Sequence, residues 1–177
     1  MAYKLKTWRL PLGSRTAKGK AIVNILPIQA GVSITAVMPV DAQEEEWGEL
    51  QIIFSTSSGD VRRNALSDFT NVRSNGKIAM DLPEDIKLVN ARIANENDDV
   101  MLVTDSGRAI RFSTTSLRIF KGRKSTGVRG IKLLGDDKVV SMSIIRHFEA
   151  SPDERSAYLK MRRAVAGMSD DEVSAQE

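Results

Sequence analysis

Apolar and polar residues alternate along most of this chain in short runs, and the runs recur. The stretch that begins Gly76-Lys77-Ile78 aligns without a gap, over 76–93 and 127–144, with the stretch that begins Gly127-Val128-Arg129, a period of 51. An earlier copy opens at Gly19-Lys20-Ala21, and its excess length sits mostly in the acidic loop 41–49. Within the copies the apolar positions recur every second residue, the spacing of a half-buried strand. This predicts strands over 20–26, 33–40, 50–56 and 60–66 in the first copy, and over 77–82, 87–95, 99–104 and 108–113 in the second. Ile, Val and Leu fill these segments, and Gly, Pro, Asn or Asp stand at their joints. The turn Ser57-Ser58-Gly59-Asp60 returns as Asp105-Ser106-Gly107-Arg108, which suits a tight hairpin with its glycine at positive φ.

Four short strands in a repeated unit of this length point to an all-β, propeller-like architecture with blades of about four antiparallel strands each. The expected layout is the tail of a truncated blade over 1–18, blades over 19–75 and 76–126, and the start of the next over 127–148. That makes two full blades plus parts of two, and beginning in mid-unit is what a shortened chain would show. A C-terminal α-helical insert and acidic tail follow over 149–177. Ser151-Pro152-Asp153-Glu154 reads as a capping box with proline at the first helical position. Ala157, Tyr158, Met161 and Val165 then form an apolar stripe at helical spacing, and Gly167 is a natural stop, so a helix is expected over 152–166. Residues 169–172 could cap a second short helix, but their charge and terminal place favour a frayed end.

Composition narrows the function. No run of 18 apolar residues suggests a membrane span, no basic apolar leader suggests a signal peptide, and the absence of cysteine fits the cytosol. The net charge is +3, and Asp170, Asp171, Glu172 and Glu177 concentrate acidity at the end, so the rest of the chain is more cationic than that figure. Catalytic material is sparse. His147 is the only histidine, no Ser or Cys nucleophile accompanies it, and no acidic cluster has ligand spacing, so catalytic and metal sites are expected to be absent. The pairs at 98–99 and 136–137 read as turn carboxylates that cap backbone amides.

The basic residues recur at equivalent places. One set follows the Ser-Gly turns: Arg62 and Arg63, then Arg108 and Arg111, with Lys4 and Lys6 in the partial copy. The other fills the connector before each copy: Arg15, Lys18 and Lys20; Arg73 and Lys77; Lys121, Arg123, Lys124 and Arg129. In a radial array these positions share one rim and would form a cationic track for a phosphate backbone. Few aromatic residues are interleaved, which argues against single-strand stacking. Period-two Lys and Arg can also simply protect exposed strand edges.

Several stretches resemble the family of DNA gyrase A C-terminal domains. They are Trp8-Arg9-Leu10-Pro11, the run from Arg15 to Pro27, Ser58-Gly59-Asp60-Val61-Arg62-Arg63-Asn64 and, above all, Ser125-Thr126-Gly127-Val128-Arg129-Gly130-Ile131. The resemblance implies a β-pinwheel whose blades exchange strands, with duplex DNA wrapped on a basic outer rim in support of ATP-dependent negative supercoiling. It implies further blades, the breakage-reunion domain and gyrase B as partners, and a bacterial, nucleoid-associated place in the cytoplasm. The family's basic heptapeptide and its catalytic tyrosine are not among these residues. The resemblance therefore implies a non-catalytic part, with ATP and magnesium used elsewhere in the intact enzyme and no cofactor here. It also leaves the C-terminal domain of topoisomerase IV as an alternative, beside a protein-interaction propeller with an incidental basic rim. Open blade ends would expose unpaired strand edges and favour self-association.

Overall fold

The structure, a computed structural model, describes residues 1–28, 31–41, 43–122 and 124–167. It divides into a β unit, Met1–Arg146, and a second unit, His147–Glu177. Among its described residues the first holds seven strands: β1 (Gln51–Thr56), β2 (Asp60–Ala65), β3 (Leu88–Ala94), β4 (Asp98–Thr104), β5 (Ala109–Ser113), β6 (Val128–Arg129) and β7 (Val139–Arg146). They form a four-stranded sheet ordered β3-β1-β2-β6 and a three-stranded sheet ordered β5-β4-β7, every pairing antiparallel.

The two sheets are the same device built twice. In each, a hairpin closed by a Ser-Gly turn (β1–β2, β4–β5) accepts an inner strand from the next copy (β3, β7). The hairpin tips dock alike: the Ser57 amide donates to the Lys87 carbonyl at 2.8 Å, and the Asp105 amide to the Lys138 carbonyl at 2.8 Å. The boundaries at 75/76 and 126/127 therefore do not bound the sheets, because each sheet draws strands across them. The sheets approach each other at β3 and β7, where the Asn90 side chain donates to the Met142 carbonyl at 3.5 Å. This leaves β6 and β5 on the far edges.

Two apolar clusters hold the unit together. Ile53, Val61, Ala94, Val100, Leu102, Val139 and Met142 fill the space between the sheets. Ile52 and Phe54 face the other way, onto Trp47, Leu66, Phe69, Ala79 and Met80. β1 is consequently buried along its whole length, since it has a core on each face. The acidic loop supplies part of the second core. Glu44–Gly48 forms a 3-10 helix that buries Trp47, while Lys4 sits 5.1 Å from the Trp47 ring and 2.6 Å from the Glu44 carboxylate. Ion pairs with Lys4 and then Lys6 hold the Glu44 carboxyl below its usual range.

Several predicted strands are not strands. Segments 20–26 and 33–40 contain no ladder; the first holds only a 3-10 turn at Ile22–Asn24. Segment 77–82 is reduced to a single bridge, Ala2 with Lys77, and residues 2–10 hold that bridge and a 3-10 turn at Thr7–Arg9. In 33–40 and 77–82 the alternation marks side chains (Ala36, Met38 and Val40; Ala79, Met80 and Leu82) packed on the second core without a ladder partner.

The hairpin tip of β4–β5 gives a pH-dependent contact. Asp137 accepts hydrogen bonds from the Ser106 hydroxyl at 2.6 Å, the Ser106 amide at 3.0 Å and its neighbour's amide, Lys138, at 2.9 Å. The Ser106 hydroxyl above all, helped by that residue's amide, Thr104 and Lys138, lowers the Asp137 pKa from 3.8 to about 2 against the opposing effect of burial. A carboxyl depressed on folding stabilises the folded state above its unfolded pKa and loses that contribution as pH falls through the folded value. In urea titrations, Asp137→Asn should therefore be less stable than the parent chain at neutral pH, with the gap closing between about pH 4 and pH 2. A gap that stays constant over that range would remove Asp137 from the account.

Among its described residues the second unit holds a single helix, α1 (Pro152–Ala166), with the bounds expected from the sequence. Ser151 accepts from the Glu154 amide at 3.2 Å while Glu154 accepts from the Ser151 amide at 2.9 Å, a complete capping box. Gly167 closes the helix in the left-handed conformation. Residues 169–172, the second capping sequence, lie outside the described residues.

Candidate nucleic-acid interface

The chain that leaves β5 crosses to the far edge of the other sheet and stays there until β6. A 3-10 turn at Thr114–Ser116 ends β5, Ile119 then bridges to Arg63 on β2, and the Phe120 amide donates to the Arg63 carbonyl at 2.8 Å. β6 completes the cover, pairing Asp60 with Arg129 and Val61 with Val128. The described residues of 117–129 thus run as a connector along the outer edge of β2.

Three consecutive side chains of β2 hold this connector. Arg62 donates its two terminal nitrogens to the carbonyls of Ser125 and Gly122 and its Nε to Asn64 at 2.8 Å. Its guanidinium lies 5.2 Å from the Phe120 ring. Arg63 donates to Gln51 Oε1 at 2.6 Å and to the carbonyls of Thr114 and Leu117 at 2.8 and 2.9 Å. Asn64 donates to the Phe120 carbonyl at 2.8 Å. Arg62 is 0 % exposed and Arg63 4 %. Burial lowers the Arg63 pKa below the ordinary arginine value, and the nearby Glu96 works against that. The expectation that Arg62 and Arg63 reach phosphates directly is therefore corrected: both faces and the outer edge of β2 are covered, so their donors go to backbone carbonyls.

The other expected residues divide by setting. Arg15, Lys18, Lys20, Arg73, Arg108, Lys121, Lys124 and Arg129 are exposed. Lys77 is half-buried, its ammonium held by the carbonyls of Asp68 at 2.6 Å and Asn71 at 3.2 Å. Arg111 is exposed on β5 and reaches the buried carboxylate of Asp99 at 3.5 Å, so part of its charge is already matched. Arg123 lies outside the described residues.

The structure adds Arg118, which sequence reasoning passed over. It is exposed, stacks 4.3 Å from the Phe120 ring, and lines an open cleft with Phe112, Leu117, Val128 and Arg129. Its position at the head of the connector, three residues before Lys121, was the available signal. Arg118, Lys121, Lys124 and Arg129 consequently lie along one pinned segment. None of the four pairs with an acid among the described residues. Such an edge offers charge without a pattern of donors for reading bases, which is the chemistry of backbone binding.

Against this geometry, the comparison with known families is decisive. Residues 1–41, 51–95 and 98–146 match the family described as DNA gyrase C-terminal domain, beta-propeller. The chain belongs to that family. The DNA gyrase A of Granulibacter bethesdensis is 48% identical over 181 residues, covering 99% of this chain and 19% of that protein. The gyrase A of Rickettsia bellii is 44% identical, covering 90% of this chain and 18% of that protein. The chain thus spans less than a fifth of the length of these relatives. Among solved structures, a C-terminal domain of DNA topoisomerase IV superposes with a TM-score of 0.64 at 26% identity, over 73% of this chain and 39% of the other. A DNA gyrase A C-terminal domain superposes with a TM-score of 0.55 at 19% identity over 71% of this chain and 40% of the other, a likeness of fold. Strand exchange between successive copies is therefore the form the gyrase C-terminal domain family takes in this chain, with one four-stranded and one three-stranded blade. No helix among the described residues is long and apolar enough to cross a membrane.

Proposed function

We propose that this chain is a DNA-wrapping part of DNA gyrase A. In this reading it holds duplex on its cationic outer edge while the intact type II topoisomerase introduces negative supercoils with ATP. The chain itself is non-catalytic. ATP and magnesium act elsewhere in the assembly, and the breakage-reunion domain and gyrase B are its partners there. The carrying observation is the connector 117–129, pinned from beneath by Arg62, Arg63 and Asn64 so that Arg118, Lys121, Lys124 and Arg129 face solvent on one edge. A staple of this kind holds the cations in place before DNA arrives, so less side-chain and loop ordering opposes binding. The likeness to a topoisomerase IV C-terminal domain supports the same edge in a related enzyme as the second reading.

Fluorescence anisotropy of a labelled mixed-sequence duplex, titrated at several salt concentrations, tests this. Binding should be indifferent to sequence, and log K should fall with log salt at about 0.9 per phosphate engaged. Replacing Lys121, Lys124 and Arg129 together by Gln should make that slope shallower by about two to three. The reading fails if the parent chain does not bind at low salt, or if the triple variant retains the parent slope.

A further inference from the structure

The exposed cations are not confined to the β unit. Helix α1 carries Arg155, Lys160, Arg162 and Arg163 against Asp153 and Glu154, and Glu154 is occupied by the cap. All four bases are exposed, and none pairs with an acid among the described residues. At 3.6 residues per turn, Arg155 and Arg162 stack on one side of the helix, and Arg163 and then Lys160 extend the basic arc round from them in one direction. Ala157, Tyr158, Met161 and Val165 occupy the opposite side. Leu159, four residues from both Arg155 and Arg163, sits exposed within the basic arc, and these four apolar residues form an arc of their own.

We propose that the basic arc of α1 is a second contact for the duplex phosphate backbone, separate from the connector edge. This rests on the reading of the chain as a DNA-binding part of gyrase. The chemistry is that of a polyanion: an arginine pair two turns apart spans about 10 Å along the helix axis, the rise of about three nucleotides of one B-form strand. A helix lying along the backbone can therefore place both guanidiniums on phosphates of a single strand. Guanidinium suits this use, since its planar fork matches phosphate oxygens bidentately. The capping box and the glycine stop keep the array helical, so the spacing is held before contact.

The test uses the whole chain and the same labelled duplex. Arg155→Gln/Arg162→Gln/Arg163→Gln keeps helix-favouring residues at each site, so the circular dichroism should be unchanged. The salt slope should become shallower by about two to three, with the loss of affinity largest at low salt. A companion variant on the opposite arc, Ala157→Gln/Met161→Gln/Val165→Gln, should keep the parent slope. If the parent chain binds DNA with a steep slope and the arginine variant matches it, the helix is not a contact and the connector reading stands. Equal loss in both helix variants would also overturn the proposal, because the effect would not belong to the basic arc. A parent chain that does not bind at all would instead remove the connector reading beneath it.

Discussion

Arg62→Ala should destabilise the β unit by about 3–5 kcal/mol, measured by urea unfolding, which is far more than removal of any exposed cation. The substitution deletes a guanidinium that is fully out of water, takes its donors from the carbonyls of Ser125 and Gly122, the second of which keeps only a long contact from Asn64 at 3.4 Å, and leaves the buried Asn64 amide oxygen without the Arg62 donor. The orphaned Asn64 acceptor, which is buried, costs roughly 1–3 kcal/mol, the part-buried carbonyls of Gly122 and Ser125 lose a charged donor, and packing against Phe120 is lost as well. Arg62→Lys should fall in between, because an ammonium on a flexible stem cannot reproduce a planar fork that serves three acceptors. Lys121→Ala, by contrast, removes a solvated charge and should stay within about 0.5 kcal/mol of the parent. DNA binding should follow the same division. Arg62→Ala weakens it by releasing the connector, Lys121→Ala by removing one phosphate contact from an otherwise intact edge. If Arg62→Ala kept full stability and lost only DNA affinity, Arg62 would be a direct contact and the staple would be wrong.

That contrast also shows where local pattern stops being informative. The tight Ser-Gly turns, the hairpins β1–β2 and β4–β5 and the capped helix α1 were legible because their determinants lie within a few residues of one another. Arg63 and Arg111 occupy equivalent places in two copies of one hairpin, yet one is buried and the other exposed. Nothing in either hairpin distinguishes them. The difference is made by residues 117–129, which arrive over β2 from more than fifty positions downstream, while no strand among the described residues covers the outer edge of β5. Alternating Arg and Lys therefore reads as a wet strand face only when the strand has a wet face. On β2 neither face does, and charge there became structural. The same long-range pairing explains the missing strands at 20–26 and 33–40, whose apolar periodicity matches a strand but which have no ladder partner within the described chain. The connector cations were legible because a connector between sheets lies on the surface whatever the topology.

The motif that carried the family resemblance, Gly127-Val128-Arg129-Gly130, has its own physical reason, and Gly127→Ala should be among the most damaging single changes in the chain. Gly127 has φ of +114°, and a Cβ there would stand 2.2 Å from the Val61 carbonyl oxygen and 2.7 Å from its carbon. Both are β2 backbone atoms, which cannot swing aside as the end of a side chain could. The φ alone costs an L-residue roughly 1–2 kcal/mol, and the clash must be relieved by moving β6 off β2. Gly107 is a built-in control: its φ is +81°, and a Cβ added there meets nothing within 4 Å. Gly107→Ala should therefore show the backbone strain alone, about 1–2 kcal/mol in urea unfolding, and Gly127→Ala should exceed it by at least about 2 kcal/mol. Amide exchange would locate the difference. In the Gly127 variant, protection should fall at Val61 and Val128, which face each other across the β2–β6 pairing, while the β4–β5 ladder keeps its own. Equal destabilisation by the two substitutions would mean that close approach to β2 is not what this glycine provides. An excess at Gly127 would identify backbone-to-backbone contact as the reason this position is glycine, and the seating of β6 as the step that sets the cationic connector in place.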